Sequence, residues 1–220
     1  MNPKRLILLS VLLFGSLWGL GELWIGELAL ARSIPRAPVM TAIGVLFLVL
    51  SRRVWRAPGS SLALAAVASA FKFLQHPVWG CKVAAVLMVG AVFDLGFTLY
   101  EARRARARST VSAPAGAPIV GTTLIAALAT FASFVLFAYF ARDVLHNPYW
   151  GIPEKMTDYM FVQGPIAALL SLPAAVAGSL AADRLLSAAR AWANNRWIVL
   201  RAVALGSGAA GVASALILRY

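Results

Sequence analysis

Charged side chains, and acidic ones in particular, are scarce in this chain of 220 residues. Only 13% of the residues are Asp, Glu, Lys or Arg, and only 8 of them are acidic. Soluble domains carry roughly 25% charged residues, so about half of the charge expected of a water-soluble globule is missing. The scarcity excludes a soluble globular protein, and it equally excludes a highly charged disordered chain.

Cysteine and histidine are almost absent. Cys81 is the single cysteine, which excludes a disulfide scaffold, and the chain has only 2 histidines. A zinc site needs three or four ligands of these types, so we predict no metal site and no other cofactor. The sequence also lacks a Gly-rich phosphate loop ending in Lys-Ser or Lys-Thr, and it lacks Gly-x-Ser-x-Gly. We therefore expect that the protein is not an enzyme, has no catalytic residues and does not itself hydrolyse ATP.

What the chain does have is long hydrophobic blocks. Hydrophobic residues make up 61% of it, and the mean hydropathy is +0.80. Several blocks approach the roughly 20 residues that cross a bilayer as a helix, and they are too long for barrel strands. The blocks are Leu6–Leu30, Pro38–Leu50, Ser60–His76, Val83–Tyr100, Pro118–Ala141, Tyr159–Ala182 and Trp197–Leu218. They predict an all-α, polytopic transmembrane helix bundle with six or seven spans, since Pro38–Leu50 is short for a full crossing.

The distribution of Lys and Arg between the blocks predicts the orientation. With a cytoplasmic N-terminus, twelve of these cations lie on the inner side and six on the outer side. Cytoplasmic loops carry the excess of positive charge in membrane proteins. We therefore predict a multi-pass protein of the bacterial inner membrane. The net charge of +12 is explained by these loops, so we expect the protein to interact with the lipid bilayer and not with nucleic acid. The small residues at Ala29–Ala31 are compatible with a signal-peptide cleavage site, but the long apolar run before them favours an uncleaved first helix.

The chain is predicted to form one transmembrane domain over residues 1–220. Residues 1–100 hold four blocks and residues 118–220 hold three. Residues 101–117 between them form a basic cytoplasmic loop. A second long connection, Arg142–Asp158, contains aromatic residues and prolines that predict an ordered external lid.

Ionisable residues inside the blocks indicate a binding site. Glu22 lies roughly 25 Å along the first block and Lys72 roughly 18 Å along the third, so the two can meet at similar depth in the outer half. His76 shares a helix face with Lys72, and Glu27 lies nearer the outer surface. Trp18 lies on the same face as Glu22. Asp94 lies in the inner half of its block, where we expect it to pair with Arg103 or Arg104.

Two interpretations of this cluster remain open. Glu22 and Lys72 could be a structural ion pair that locks two helices together. Intramembrane charge more often marks a functional site, and we predict a polar chamber, open to the outside, that binds a small-molecule substrate. Its predicted substrate-binding residues are Trp18, Glu22, Glu27, Lys72 and His76.

The N-terminal part of the chain resembles a known family. Over about residues 15–100 the order of several short motifs is similar to that in the substrate-binding S components of energy-coupling factor (ECF) transporters. The motifs are Trp18-Gly19-Leu20-Gly21-Glu22, Ile34-Pro35-Arg36, Thr41-Ala42-Ile43-Gly44, Arg52-Arg53, Pro58-Gly59-Ser60-Ser61 and Ala70-Phe71-Lys72. The resemblance implies a compact helical protein that binds a vitamin or metal ion near the outer face and associates with a transmembrane scaffold subunit and ATPase subunits.

This chain also departs from the family. Family members have six helices and both ends in the cytoplasm, and the metal-transporting members carry an N-terminal histidine motif that is missing here. An organic, vitamin-like ligand is therefore the better expectation. The alternatives are an accessory or assembly subunit of a larger membrane complex, docking through small residues such as Gly15 and Gly19, and a lipid-modifying enzyme based on Glu27 and His76.

Overall fold

The fold is a bundle of long helices. The structure, a computed structural model, describes residues 3–31, 36–55, 57–74, 80–108 and 119–191, and all the regular secondary structure in these ranges is helical. The α-helices are α1 (Pro3–Ala31), α2 (Arg36–Trp55), α3 (Ser60–Ala70), α4 (Gly80–Arg108), α5 (Ile119–Asp143), α6 (Pro153–Asp158) and α7 (Gly164–Ala191). A 3-10 turn over Phe71–Leu74 extends α3, a second one covers Pro148–Gly151, and a π-helical turn over Tyr159–Gln163 joins α6 to α7.

Five of the helical segments are long and apolar enough to cross a membrane. They lie in α1, α2, α4, α5 and the continuous stretch Pro153–Ser187, whereas the apolar helix Ser60–Leu74 is shorter. The prediction of an all-α chain is therefore confirmed for the described residues, and five of its helical segments have the length and composition of membrane spans. The last predicted block, Trp197–Leu218, lies outside them.

Two predicted boundaries were wrong. The block Pro38–Leu50 is part of α2, whose 20 residues span about 30 Å and so have the length of a full crossing. The predicted basic loop begins too early, because α4 continues through Glu101 to Arg108. The reason is local: residues 101–108 are Ala, Arg and Glu, which are strong helix formers, and no Gly or Pro interrupts them.

The helices run alternately up and down, as close contacts at glycines show. Position 15 of α1 faces Val67 of α3, and position 19 faces Phe71 in the 3-10 turn that extends α3, so α1 and α3 are parallel. Position 90 of α4 faces Ala65, and Asp94, one turn later, accepts a hydrogen bond from the Ser61 amide, so α3 and α4 are antiparallel. We call the end of the bundle where α2 and α4 begin the upper end, and the end where α3 begins the lower end.

The glycines of α1 serve packing inside the bundle. A Cβ atom at Gly15 would lie 2.7 Å from Val67 Cβ, and one at Gly19 would lie 2.5 Å from the Phe71 ring. Small residues let helices approach closely where lipid supplies no hydrophobic drive between them. These two positions are therefore occupied by α3, and they are not open docking surfaces for another subunit.

A buried arginine organises the lower end. The Arg52 side chain is 1% exposed, and its guanidinium donates to the Ala57 carbonyl (2.7 Å), to Thr98 Oγ1 (3.0 Å) and to Glu101 Oε2 (2.7 Å). It also pairs with Asp94 Oδ1 at 3.4 Å. Arg52 thus ties the end of α2 to α4 and to the turn that leads into α3.

Asp94 has a second role in the same cluster. Its carboxylate accepts hydrogen bonds from the backbone amides of Gly59 (2.8 Å) and Ser61 (3.2 Å). Gly59 has φ 84, a left-handed conformation that favours glycine, and it directly precedes α3. The carboxylate therefore caps the start of α3, where the helix dipole is positive. The sequence-based pairing of Asp94 with Arg103 or Arg104 missed this partner because Arg52 was counted as a loop residue.

The tight contact between α3 and α4 gives a direct test of the packing. We expect Gly90→Ala to lower the free energy of unfolding by about 1–3 kcal/mol, because its Cβ would overlap the Ala65 Cβ, which is fixed to backbone. Gly80→Ala is the matched control, since that Cβ would meet no atom within 4 Å. Thermal unfolding in detergent compares the two variants, and equal melting temperatures would contradict the α3–α4 register.

Candidate functional site

Glu22 and Lys72 meet inside the bundle. Lys72 Nζ donates to Glu22 Oε2 over 2.5 Å, and the two residues are 8% and 5% exposed. Glu22 lies on α1, and Lys72 lies in the 3-10 turn that extends α3. The predicted meeting of the two side chains is confirmed, and it follows from the parallel packing of α1 and α3.

Trp18 completes the environment of the carboxylate. It lies one turn before Glu22 on α1, is 1% exposed, and donates from Nε1 to Glu22 Oε1 over 3.1 Å. Its indole occupies the space beside Gly44 of α2, where a Cβ would lie 2.5 Å from the ring. Both carboxylate oxygens of Glu22 therefore have a hydrogen-bond donor, which a buried carboxylate requires.

The structure brings three of the five predicted site residues together. Trp18, Glu22 and Lys72 form one hydrogen-bonded cluster. Glu27 belongs to α1, but its side chain lies outside the described part of the chain, and so does His76 as a whole. The association of these two residues with the site stays a prediction.

A cavity of about 220 Å³ lies beside the cluster. Its polar lining comes from the upper ends of several helices, and its apolar lining comes mainly from α4 and α5. The polar side chains are Glu22, Arg36, Thr41, Lys72, Lys82 and Ser133, and the larger apolar and aromatic ones are Trp18, Met40, Val86, Val89, Phe134, Phe137 and Tyr159. The ion pair thus borders open space and is not sealed on all sides by packing.

Aromatic rings form one wall of this cavity. Tyr159 stacks on Phe134 with a centroid distance of 4.6 Å and lies 5.8 Å from Phe137. Tyr159 is the first residue of the π-helical turn that joins α6 to α7. Such turns are rare and occur often at functional sites. Here the turn places a large ring at the cavity wall.

The connection between α5 and α6 packs on that wall. Trp150 is 8% exposed and makes edge contacts with Phe137 (5.4 Å) and Tyr159 (4.7 Å). Asn147 Oδ1 accepts from the Tyr149 amide over 3.1 Å and so starts the 3-10 turn at Pro148. The predicted order of this connection is confirmed, and the connection lies against the upper end of the cavity wall.

Several lining residues escaped the sequence reasoning. Lys82 entered it only as an outer-side charge in the count that gave the orientation. Arg36 entered that count and also the motif Ile34-Pro35-Arg36, and Tyr159 entered only as the start of a block. The signal that could have found Arg36 and Lys82 is helix direction. Both residues lie at the start of a helix that runs downward from the upper end. The segment Ser60–Leu74 runs upward and places Lys72 at the same end. Tyr159 could not have been found, because the sequence does not reveal the π-helical turn.

Comparisons with known proteins add no identification. No protein-family model, no curated protein and no solved structure matches this chain. Within the described ranges there is also no group of three or more His, Cys, Asp or Glu residues that could hold a metal ion. The chemistry of the site has to be inferred from its geometry.

That geometry allows hydrogen bonding to a guest molecule. An ammonium group has three hydrogens, and Glu22 takes one of those of Lys72. The hydroxyls of Thr41 and Ser133 donate to helix carbonyls at 2.9 and 2.7 Å, so their oxygens can act as acceptors. Polar groups that converge beside an apolar wall are typical of small-molecule binding sites.

The energetics of the ion pair can be tested by a double-mutant cycle. We expect Glu22→Gln and Lys72→Met each to destabilise the protein by about 3–5 kcal/mol, because each leaves one buried charge without its partner. The double variant should lose much less than the sum, since it leaves neither charge uncompensated. Thermal unfolding in detergent gives the four values, and strictly additive losses would show that the two groups do not interact.

Proposed function

We propose that the protein is a membrane-embedded substrate-binding subunit that captures a small, vitamin-like organic molecule for uptake. The ligand would bind in the cavity beside Glu22 and Lys72, with Trp18 as part of the apolar wall. ATP hydrolysis would be supplied by partner subunits, as in the ECF transporters whose S components the N-terminal motifs resemble.

The observation that carries the proposal is the open space next to a buried ion pair. A pair that served only to lock α1 to α3 would be most stable in dry, close packing, without neighbouring space. Here the pair borders a cavity of about 220 Å³ that it shares with Arg36 and Lys82. Burying charges next to a cavity costs stability, and ligand binding gives a reason for that cost.

The size of the cavity limits the ligand. Drug-sized ligands occupy pockets of about 300–1,000 Å³, whereas a cavity of about 150 Å³ holds a benzene molecule. The cavity of this protein, at about 220 Å³, therefore suits a compact molecule with one ring and a small polar substituent. Larger vitamins would need the helices at the upper end to move apart.

The charge distribution supports the proposed orientation. Arg52, Arg53, Arg103 and Arg104 lie at the lower end, near the ends of α2 and α4. Positive charge is concentrated on the cytoplasmic side of membrane proteins, so the lower end would face the cytoplasm of a bacterial cell and the cavity would open outward. In this arrangement the shorter helix Ser60–Leu74 and the block Trp197–Leu218 would bring the crossings to six or seven.

The alternative is an accessory or assembly subunit of a larger membrane complex. It is favoured by the complete pairing of the Glu22 carboxylate, which needs no ligand. It leaves the cavity without a role, and Gly15 and Gly19, two of the small residues on which it relied, pack against the segment Ser60–Leu74 inside the bundle. We therefore prefer the binding function.

Ligand binding tests the proposal. We expect a screen of water-soluble vitamins and their single-ring precursors against the detergent-purified protein to find a compound that raises its melting temperature. Lys72→Met should weaken that binding by about tenfold or more, the value of a lost charge-assisted hydrogen bond. Lys155→Met is the matched control, since Lys155 is exposed and does not line the cavity.

A second variant tests the same cavity in case Lys72→Met does not fold. Ala85→Phe should fill the cavity from α4 and abolish binding while leaving the ion pair in place. Wild-type protein that binds no compound of the panel would contradict the proposal. Purification in fixed stoichiometry with other membrane subunits, without ATPases, would then favour the accessory-subunit alternative.

A further inference from the structure

We infer that the ligand is an organic acid whose anionic group binds among Arg36, Lys72 and Lys82 and whose ring lies against the aromatic wall. This inference rests on the proposed function, because it assumes that the cavity binds a small molecule. It adds the charge and the orientation of that molecule, which neither the sequence motifs nor the ion pair alone define.

The charge balance of the lining is positive. Among the described side chains that border the cavity, Arg36, Lys72 and Lys82 are cationic and Glu22 is the acid. Three positive charges against one negative charge leave an excess of two. An anion entering this space gains favourable interactions with the lining, whereas a cation meets net repulsion, and both effects are stronger inside the bundle than in bulk water.

The other carboxylates of the chain do not change that sign. Of the 8 acidic residues, Asp94 and Glu101 bind Arg52 at the lower end, and Asp183 binds Arg53 there. Asp143 pairs with the neighbouring Arg142. Glu154 and Asp158 are exposed and are not among the residues that line the cavity. Glu27 is the acid whose side chain lies outside the described part. Even if it neutralised one cation of the lining, an excess of one positive charge would remain.

The cations keep donors for a ligand. Arg36 and Lys82 have interactions of their own within the chain, but a guanidinium carries five N–H groups and an ammonium carries three. Lys72 is held in position by Glu22, which orders its side chain before a ligand arrives. A carboxylate is the group that such donors bind most strongly, because each hydrogen bond is then charge-assisted at both ends.

Helix ends reinforce the same preference. Arg36 is the first residue of α2, and Lys82 is in the first turn of α4. The N-terminal end of a helix carries a partial positive charge, so both helices add to the positive potential at the upper end. The rings of Phe134, Phe137 and Tyr159 line the same cavity and offer a flat apolar surface to the body of the ligand.

Three compounds of one shape and different charge test the inference. Benzoate, benzamide and benzylamine should each fit a cavity that holds one ring, so their affinities report mainly on charge. We expect benzoate to bind the wild-type protein at least about tenfold more tightly than benzamide, the value of one charge-assisted hydrogen bond, and benzylamine to bind most weakly. Calorimetry in detergent at constant ionic strength measures all three.

Two variants assign the contacts. Arg36→Met and Lys82→Met should each reduce the affinity for benzoate by about tenfold and leave that for benzamide unchanged. Arg103→Met is the matched control, because Arg103 is an exposed arginine at the lower end and its loss should change neither affinity. Benzoate binding that resists both variants would overturn the assignment of its carboxylate to these cations.

The remaining outcomes separate this inference from the proposed function. If benzamide or benzylamine binds as tightly as benzoate, and Ala85→Phe abolishes that binding, the anionic preference is wrong and the cavity is still a binding site. If none of the three compounds binds at millimolar concentration, the cavity does not accept a ring, and the proposed function fails as well.

Discussion

A carboxylate and an ammonium group that are both withdrawn from solvent persist in an apolar bundle only if each compensates the other. In this protein the pair is Glu22 and Lys72, and Trp18 supplies a donor to the second carboxylate oxygen. The pair fixes the depth at which α1 meets the segment after α3, and the glycines of α1 allow the close approach that it needs. The cavity, its cationic lining and its aromatic wall are all arranged around this pair. If one partner were removed, the other charge would remain buried without compensation, and the helices would have to move to hydrate it. The cavity would then lose its polar end.

The two ends of the bundle use charge differently. At the lower end, Arg52 is enclosed by acceptors from α4 and from the turn before α3, so its charge has a structural role. At the upper end, Arg36, Lys72 and Lys82 border the cavity, and Glu22 is the carboxylate among the described residues that line it. A fold with so few acids cannot compensate every cation. The chain has 20 basic and 8 acidic residues, so an anionic ligand in the cavity would add negative charge that the chain itself has little of.

Much of this architecture could be predicted from the sequence, because hydropathy determines which segments are helices and helix rise determines depth. Those two facts were enough to predict that Glu22 and Lys72 meet. The sequence did not predict the partner of Asp94 or the roles of Arg36 and Lys82 in the cavity lining. Arg36, Arg52 and Lys82 were assigned to loops, so the directions in which their side chains leave the helices could not be considered. Tyr159 reaches the cavity through a π-helical turn, which has no sequence pattern of its own. The charge of the ligand could be inferred only after the lining was known.

Thiol labelling can measure whether the space beside the ion pair contains water and is open at the upper end. With the native Cys81 replaced by Ser, single cysteines at Thr41, which lines the cavity, and at Ser51, which is fully buried on the same helix, can be exposed to a charged, membrane-impermeant thiol reagent. The reagent is added to the outside of intact cells. We expect Thr41→Cys to be modified and Ser51→Cys to stay unmodified. An unreactive Thr41→Cys that reacts only after the protein is unfolded would contradict this expectation.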